Sequence, residues 1–158
     1  MVILVVIIGI AIGVSIYQTP AKTAQKAPET VSQPIPKAAT AQELLTLVNA
    51  ERTKVGAKPL VMDERLNQSA QAKAQDMLTR NYFGHNDPEG NRATSSIYGC
   101  YMPGENLTQN IYVNDSHTAV AAWIRSKPHY EAMVSTRYEL TGFGIADNYI
   151  VEHFCDIP

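Results

Sequence analysis

The sequence predicts an α+β fold for residues 40–158, on three observations. Two stretches with helix-start signals and helical apolar spacing come first, from Thr40 and from Asp63. Two β-rich runs joined by Asp147-Asn148 come last. The helices precede the hairpin instead of alternating with strands, which argues against a parallel α/β sheet. A chain of 158 residues, 45% of them hydrophobic, is enough for one compact domain with its own core.

Residues 1–17 lie outside that domain. They carry no charged side chain and show no amphipathic period, so they offer no aqueous face. Their place at the terminus predicts a hydrophobic helix acting as a transmembrane signal anchor or signal peptide, although the run is slightly short for a full span. Lys22, Lys26 and Lys37 follow it and no basic residue precedes it, so the positive-inside rule alone would place the domain inside. We expect instead a basic leader ahead of Met1, an uncleaved anchor and an extracytoplasmic domain, anchored to the cell membrane or secreted. Residues 18–39 hold Pro20, Pro28, Pro34 and Pro36 among Ala, Thr, Gln and Lys, the composition of an extended spacer.

The first helix opens on Thr40-Ala41-Gln42-Glu43, a capping-box pattern. Leu44, Val48 and Val55 form its apolar stripe, with Leu45 and Arg52 alongside, and Gly56 stops it. Asp63 caps the second helix, whose stripe of Leu66, Ala70, Ala74 and Met77 is mostly small and permits close packing. This helix ends near Asn81, and Tyr82 to Gly104 reads as loop. A third helix starts at Asp115 or Ser116, with Val120, Trp123 and Ile124 on one face. Pro128 opens a short fourth helix that carries His129. Leu140 to Ala146 and Tyr149 to Cys155 are the closing hairpin around a two-residue turn.

Several function classes are disfavoured. The net charge is −2 with both signs interspersed, and no basic run with interleaved aromatics marks a nucleic-acid surface. Cys100 and Cys155 allow one intramolecular pair. They read either as buried free thiols or as a disulfide, and an extracytoplasmic location favours the disulfide.

Five motifs in order resemble the CAP superfamily (cysteine-rich secretory, antigen 5 and pathogenesis-related proteins) in its bacterial SCP-like form. They are Asn49-x-x-Arg52 with Gly56-x-x-Pro59-Leu60, then Tyr82-Phe83-Gly84-His85-x-x-Pro88, then Gly104-Glu105-Asn106-Leu107, then Trp123-x-x-Ser126-x-x-His129, then Thr141 to Ala146 around Gly142 and Gly144. The resemblance implies a three-layer α-β-α sandwich around a twisted, mostly antiparallel sheet. It also implies a shallow cleft lined by His85, Glu105 and His129. The chain departs from the pattern at Ser126, where eukaryotic members carry a second acid, at Tyr130 in place of a common Arg, and at Glu152 in place of a common Cys.

Two imidazoles and one carboxylate suffice to hold Zn²⁺ with an open position, or to do acid–base work near neutral pH. His85 and His129, with Glu105 as third ligand or base, are therefore the candidate metal and catalytic residues. The alternative is a hydrogen-bonded cluster that pins loops to the sheet. No H-E-x-x-H or G-x-S-x-G is present, so Ser126 reads as a helix terminator, not a nucleophile. His117 reads as solvated and Trp123 as core; His153 and Cys155, two apart on one strand face, read as an ordinary strand histidine beside a disulfide end, with a metal pair as the alternative. The Asn67, Asn106 and Asn114 sequons read as incidental. The favoured expectation is a surface binding module for a metal, lipid, wall component or protein partner. A metal-assisted, peptidase-like hydrolase using the same cleft is the alternative.

Overall fold

The computed structural model describes residues 38–109 and 115–156, which fall within one compact unit. The anchor expected over 1–17, nearly all of the linker over 18–39, and Asn114 lie outside the described residues. Helices α1 (Ala41–Lys54), α2 (Glu64–Arg80), α3 (Ser116–Arg125) and α4 (Lys127–Met133) surround four strands. The strands are β1 (Val61–Met62), β2 (Gly104–Gln109), β3 (Leu140–Ala146) and β4 (Tyr149–Cys155). The sheet order is β1-β3-β4-β2; β3/β4 and β4/β2 are antiparallel and β1/β3 is parallel. The α+β class stands, and so do the four helices and the closing hairpin. Ala146 pairs with Tyr149, and Asp147 takes a left-handed φ of 50° in the two-residue turn between them.

The helix starts follow the capping chemistry, with one difference. Thr40 Oγ1 accepts from Glu43 N at 3.2 Å, Asp63 Oδ1 from Arg65 N at 2.9 Å, and Asp115 Oδ1 from Thr118 N at 2.8 Å. The reciprocal half of the capping box is replaced, because the Thr40 N–H donates to the buried Ser116 hydroxyl at 3.2 Å. That contact ties the start of α1 to the start of α3.

Side-chain alternation along β4 divides the core into two faces. Ile150 and Phe154 face α1, α3 and α4, and pack with Leu44, Val48, Trp123, Met133 and Phe143. Tyr149 and Val151 face α2, and pack with Ala70, Ala74 and Met77. Cys155 lies under Leu66 and is bonded to Cys100, tying the loop ahead of β2 to the end of β4. Arg52 is buried, and its guanidinium donates to the carbonyls of Lys58, Met133, Ser135 and Tyr138 at 2.7–3.0 Å. A helix residue thereby fastens the loops at both ends of the first core. Two stripe assignments are corrected. Val55 is 52% exposed because α1 has already ended at Lys54, and Ile124 is 39% exposed on the outer side of α3.

Helix α2 lies almost directly on β3. A Cβ at Gly142 would sit 2.2 Å from Asn67 N, and one at Gly144 would sit 2.1 Å from the Ala70 carbonyl carbon. β1 pairs only with Leu140 and Thr141, so among the described residues most of the outer edge of β3 has no strand beside it. Side chains from α2 take that role. Asn67 Oδ1 accepts from Phe143 N at 2.9 Å, and Gln71 accepts from Ile145 N at 2.9 Å and donates to Ile145 O at 3.0 Å. This blunts an edge that would otherwise be open to pairing with another chain.

Gly144→Ala drives a methyl into the α2 backbone and is expected to cost about 3 kcal/mol or more, at the upper end of overpacking penalties. Urea unfolding of the variant beside wild type checks this, and an unchanged midpoint would mean that the contact is looser than described.

Candidate functional site

The sheet register builds the site. On the α2 face, Glu105 of β2 stands opposite His153 of β4, and Gly142 of β3 is the next residue across. His153 Nε2 lies 2.9 Å from Glu105 Oε2, and His85 Nδ1 lies 2.6 Å from Glu105 Oε1. His85 reaches this position because α2 ends at Asn81 in a left-handed cap, which turns the following loop back along the sheet. Lys73 on α2 then holds that loop, donating to the Tyr82 hydroxyl at 3.1 Å and to the His85 carbonyl at 3.2 Å.

Exposure falls along the chain of contacts. The His85 side chain is 44% exposed, Glu105 7%, and His153 0%. Burial pushes the Glu105 carboxyl upward, but the hydrogen bonds and charges of His153 and His85 together outweigh burial and hold it below the usual range. The carboxylate is therefore ionised and only accepts. Both contacting ring nitrogens must carry the proton, so neutral His85 is the Nδ1–H tautomer with a bare Nε2 lone pair. His153 donates through Nε2, and its buried Nδ1 has no hydrogen-bond partner among the described residues.

His129 is half-buried on α4. Desolvation first, and the charge of His85 second, lower its pKa, so the two imidazoles lie within electrostatic reach. Its backbone carbonyl accepts from Asn106 Nδ2 at 3.1 Å. Asn106 lies on the opposite sheet face from Glu105 and also approaches Glu152 Oε2 at 3.5 Å. Glu152 is fully buried, and its other oxygen accepts from the Thr141 hydroxyl at 3.1 Å. Burial pushes Glu152 up to about 8, outweighing the hydrogen bonds from Thr141 and Asn106 and the charge of Arg52. A protonated carboxyl thus underlies the strand that carries Glu105.

Sequence reasoning named His85, Glu105 and His129. The structure joins the first two directly and leaves His129 half-buried on α4, with no direct hydrogen bond to either among the described residues. It adds His153 and Lys73, neither of which the sequence reading assigned to the site. His153 carried one signal, its position two residues before the closing cysteine on the same strand face. Lys73 carried none beyond a charged residue one position before the stripe residue Ala74. His117 is 73% exposed beside Glu43, and Trp123 is core, donating to the Leu107 carbonyl at 3.1 Å. Ser126 joins α3 to α4. As donors for Zn²⁺, the site offers the bare His85 Nε2 and His129, while both Glu105 oxygens are engaged by imidazoles. Among the described residues no group of three or more His, Cys, Asp or Glu is placed to hold a metal ion. The donor set does not fit a three-ligand zinc centre in this arrangement.

Residues 45–154 match the profile of the CAP family, the cysteine-rich secretory protein family. The chain is 32% identical over 128 residues to the uncharacterised Bacillus subtilis protein YkwD, covering 80% of this chain and 50% of that protein. It is 29% identical over 117 residues to the uncharacterised B. subtilis membrane protein YlbC, covering 72% of this chain and 33% of that one. The chain therefore spans half or less of these relatives. Among solved structures, an extracellular SCP-domain protein of Bacillus anthracis superposes with a TM-score of 0.68 at 22% identity, over 73% of this chain and 40% of that one. An outer surface protein of Borrelia burgdorferi superposes with a TM-score of 0.65 at 21% identity, over 74% of this chain and 92% of that one. At these identities the likeness shows the fold.

The Glu152 pKa gives a pH dependence with a definite sign. Its folded value, near 8, lies above the ordinary glutamate value of 4.5, so the folded state takes up a proton between these values. Stability from this group is full below about pH 4.5 and falls as pH rises toward 8, at up to about 1.4 kcal/mol per pH unit. Glu152→Gln should remove that slope and raise stability at pH 7–8. Thermal melts of both proteins from pH 5 to 8.5 check this, and parallel curves would contradict the buried neutral acid.

Proposed function

The chain belongs to the CAP family of cysteine-rich secretory proteins, and on that premise we propose that it works outside the cytoplasm as a binding module. Its recognition edge is the exposed imidazole of His85 together with His129, and its ligand is a hydroxyl- or amide-bearing component of the cell wall. The observation that carries this reading is the engagement of both Glu105 oxygens by ring nitrogens. A carboxylate spent in this way orients the partly exposed His85 ring and, in its neutral form, leaves Nε2 as an acceptor. His129, with its pKa lowered, supplies an imidazole that favours the neutral form.

Location is supported from three sides. The relatives of known setting are an extracellular protein and an outer surface protein, and a third is a membrane protein. The Cys100–Cys155 bridge suits an oxidising compartment. An apolar segment over 1–17 and a proline-rich spacer over 18–39 would hold the domain at the membrane surface, within reach of the wall. Metal-assisted hydrolysis is less well supported, because Glu105 would have to leave both histidines to serve as third ligand or base.

Purified wild type should be retained on isolated cell-wall sacculi, and the double variant His85→Ala/His129→Ala should lose that retention at an unchanged melting temperature. Retention by membrane vesicles but not by walls, or retention indifferent to both histidines, would contradict the proposal. Turnover of peptide or ester substrates in the presence of Zn²⁺ that vanishes with His85→Ala would establish the hydrolase instead.

A further inference from the structure

The loop after α2 does more than deliver His85. Between α2 and residues 82–93 it borders a solvent-open cavity of about 220 Å³. Lys73 lines this cavity and is only 3% exposed. Its ammonium has three N–H donors, and its two hydrogen-bond acceptors are the Tyr82 hydroxyl at 3.1 Å and the His85 carbonyl at 3.2 Å. Asp76, Asp87 and Arg92 complete the charged lining. Lys73 is buried, Asp76 and Asp87 are half-buried, and Arg92 is exposed at the rim.

Two constraints define what such a cavity accepts. The first is charge. Two cations and two carboxylates sum to zero, so a simple anion meets two carboxylates and a simple cation meets Lys73 and Arg92. A wholly apolar guest would cover these groups without replacing their water, which is costly, while the mostly apolar remainder of the lining, with Ala72 and Ala93, suits a short aliphatic side chain. The second is size. One water occupies about 30 Å³ of liquid, so the cavity takes roughly seven waters or a molecule of about that many heavy atoms. The Arg92 side chain donates through Nε to Asn86 Oδ1 at 3.2 Å, which leaves the outer edge of its guanidinium for a carboxylate. Asp87 accepts from Asn91 N at 2.8 Å and from the Asn91 side-chain amide at 3.1 Å, and Asp76 accepts from the Tyr82 hydroxyl and pairs with Arg80 at 3.6 Å; each carboxylate retains a further lone pair.

We propose that this cavity binds a small zwitterion of the α-amino acid class, with its carboxylate between Lys73 and Arg92 and its ammonium toward Asp76 and Asp87. The site is separate from the imidazole edge and does not depend on what that edge binds. Because Lys73 also holds the His85 carbonyl, occupancy is felt at the His85 loop. The cavity therefore senses a small solute beside the surface that engages the larger ligand.

The test is an NMR titration of the full chain with L-alanine and D-alanine, using acetate and methylammonium as single-charge probes. Saturable amide shifts are expected around Ala72–Lys73 and Asp87–Ala93 with at least one alanine enantiomer, and binding about ten-fold or more weaker with either single-charge probe. Arg92→Ala, at the exposed rim, should weaken alanine binding by about ten-fold while leaving the melting temperature and retention on cell walls unchanged. The proposal is overturned if neither enantiomer gives saturable shifts there, if acetate binds as tightly as alanine, or if Arg92→Ala leaves alanine binding intact. Loss of wall retention in the imidazole variants bears only on the other surface.

Discussion

The contact on which this structure depends is the close seating of α2 on β3 at Gly142 and Gly144. With no side chain at either glycine, the helix backbone comes down onto the sheet. Asn67 and Gln71 then satisfy the outer edge of β3, and Ala70, Ala74 and Met77 close over Tyr149 and Val151. The same seating carries Lys73 into the interior and sets the height at which the chain leaves α2 at Asn81. The Tyr82–His85 loop can then return across the sheet at the level of Glu105. A helix held farther out would separate His85 from Glu105 without altering either residue.

The two sheet faces carry contrasting acids. Glu105, on the α2 face, is buried but bound by two imidazoles, and it stays ionised. Glu152, one residue along on the adjacent strand and on the opposite face, has hydroxyl and amide partners and a more distant Arg52, and burial wins. The difference follows from partners and not from depth alone. It gives the protein an ionised acid beneath its exposed imidazole and a neutral acid beneath its core helices.

Much of this is legible in the sequence, because local rules and tertiary structure agree there. The caps at Thr40, Asp63 and Asp115, the small-residue stripe of α2 and the Asp147-Asn148 turn all appear where the residues indicate. β1 and β2 are not legible. The first is two residues long, and the second, Gly-Glu-Asn-Leu-Thr-Gln, has a polar composition that no strand pattern marks. β2 exists because β4 offers it a partner along its whole length. His153 is hidden for the same reason: its role comes from register across the sheet, which a single strand does not reveal. The capping box at Thr40 keeps only one of its two bonds because a distant serine supplies the other.

The central claim is that Glu105 fixes the tautomers of two histidines and so presents the His85 Nε2 lone pair to solvent. Side-chain ¹⁵N NMR of His85 and His153, in wild type and in Glu105→Gln, tests it most directly. At a pH where the imidazoles are neutral, wild type should show His85 protonated at Nδ1 and His153 at Nε2. The variant should show His85 moving to a tautomer mixture. A wild-type His85 protonated at Nε2, or tautomers unchanged by Glu105→Gln, would contradict the account.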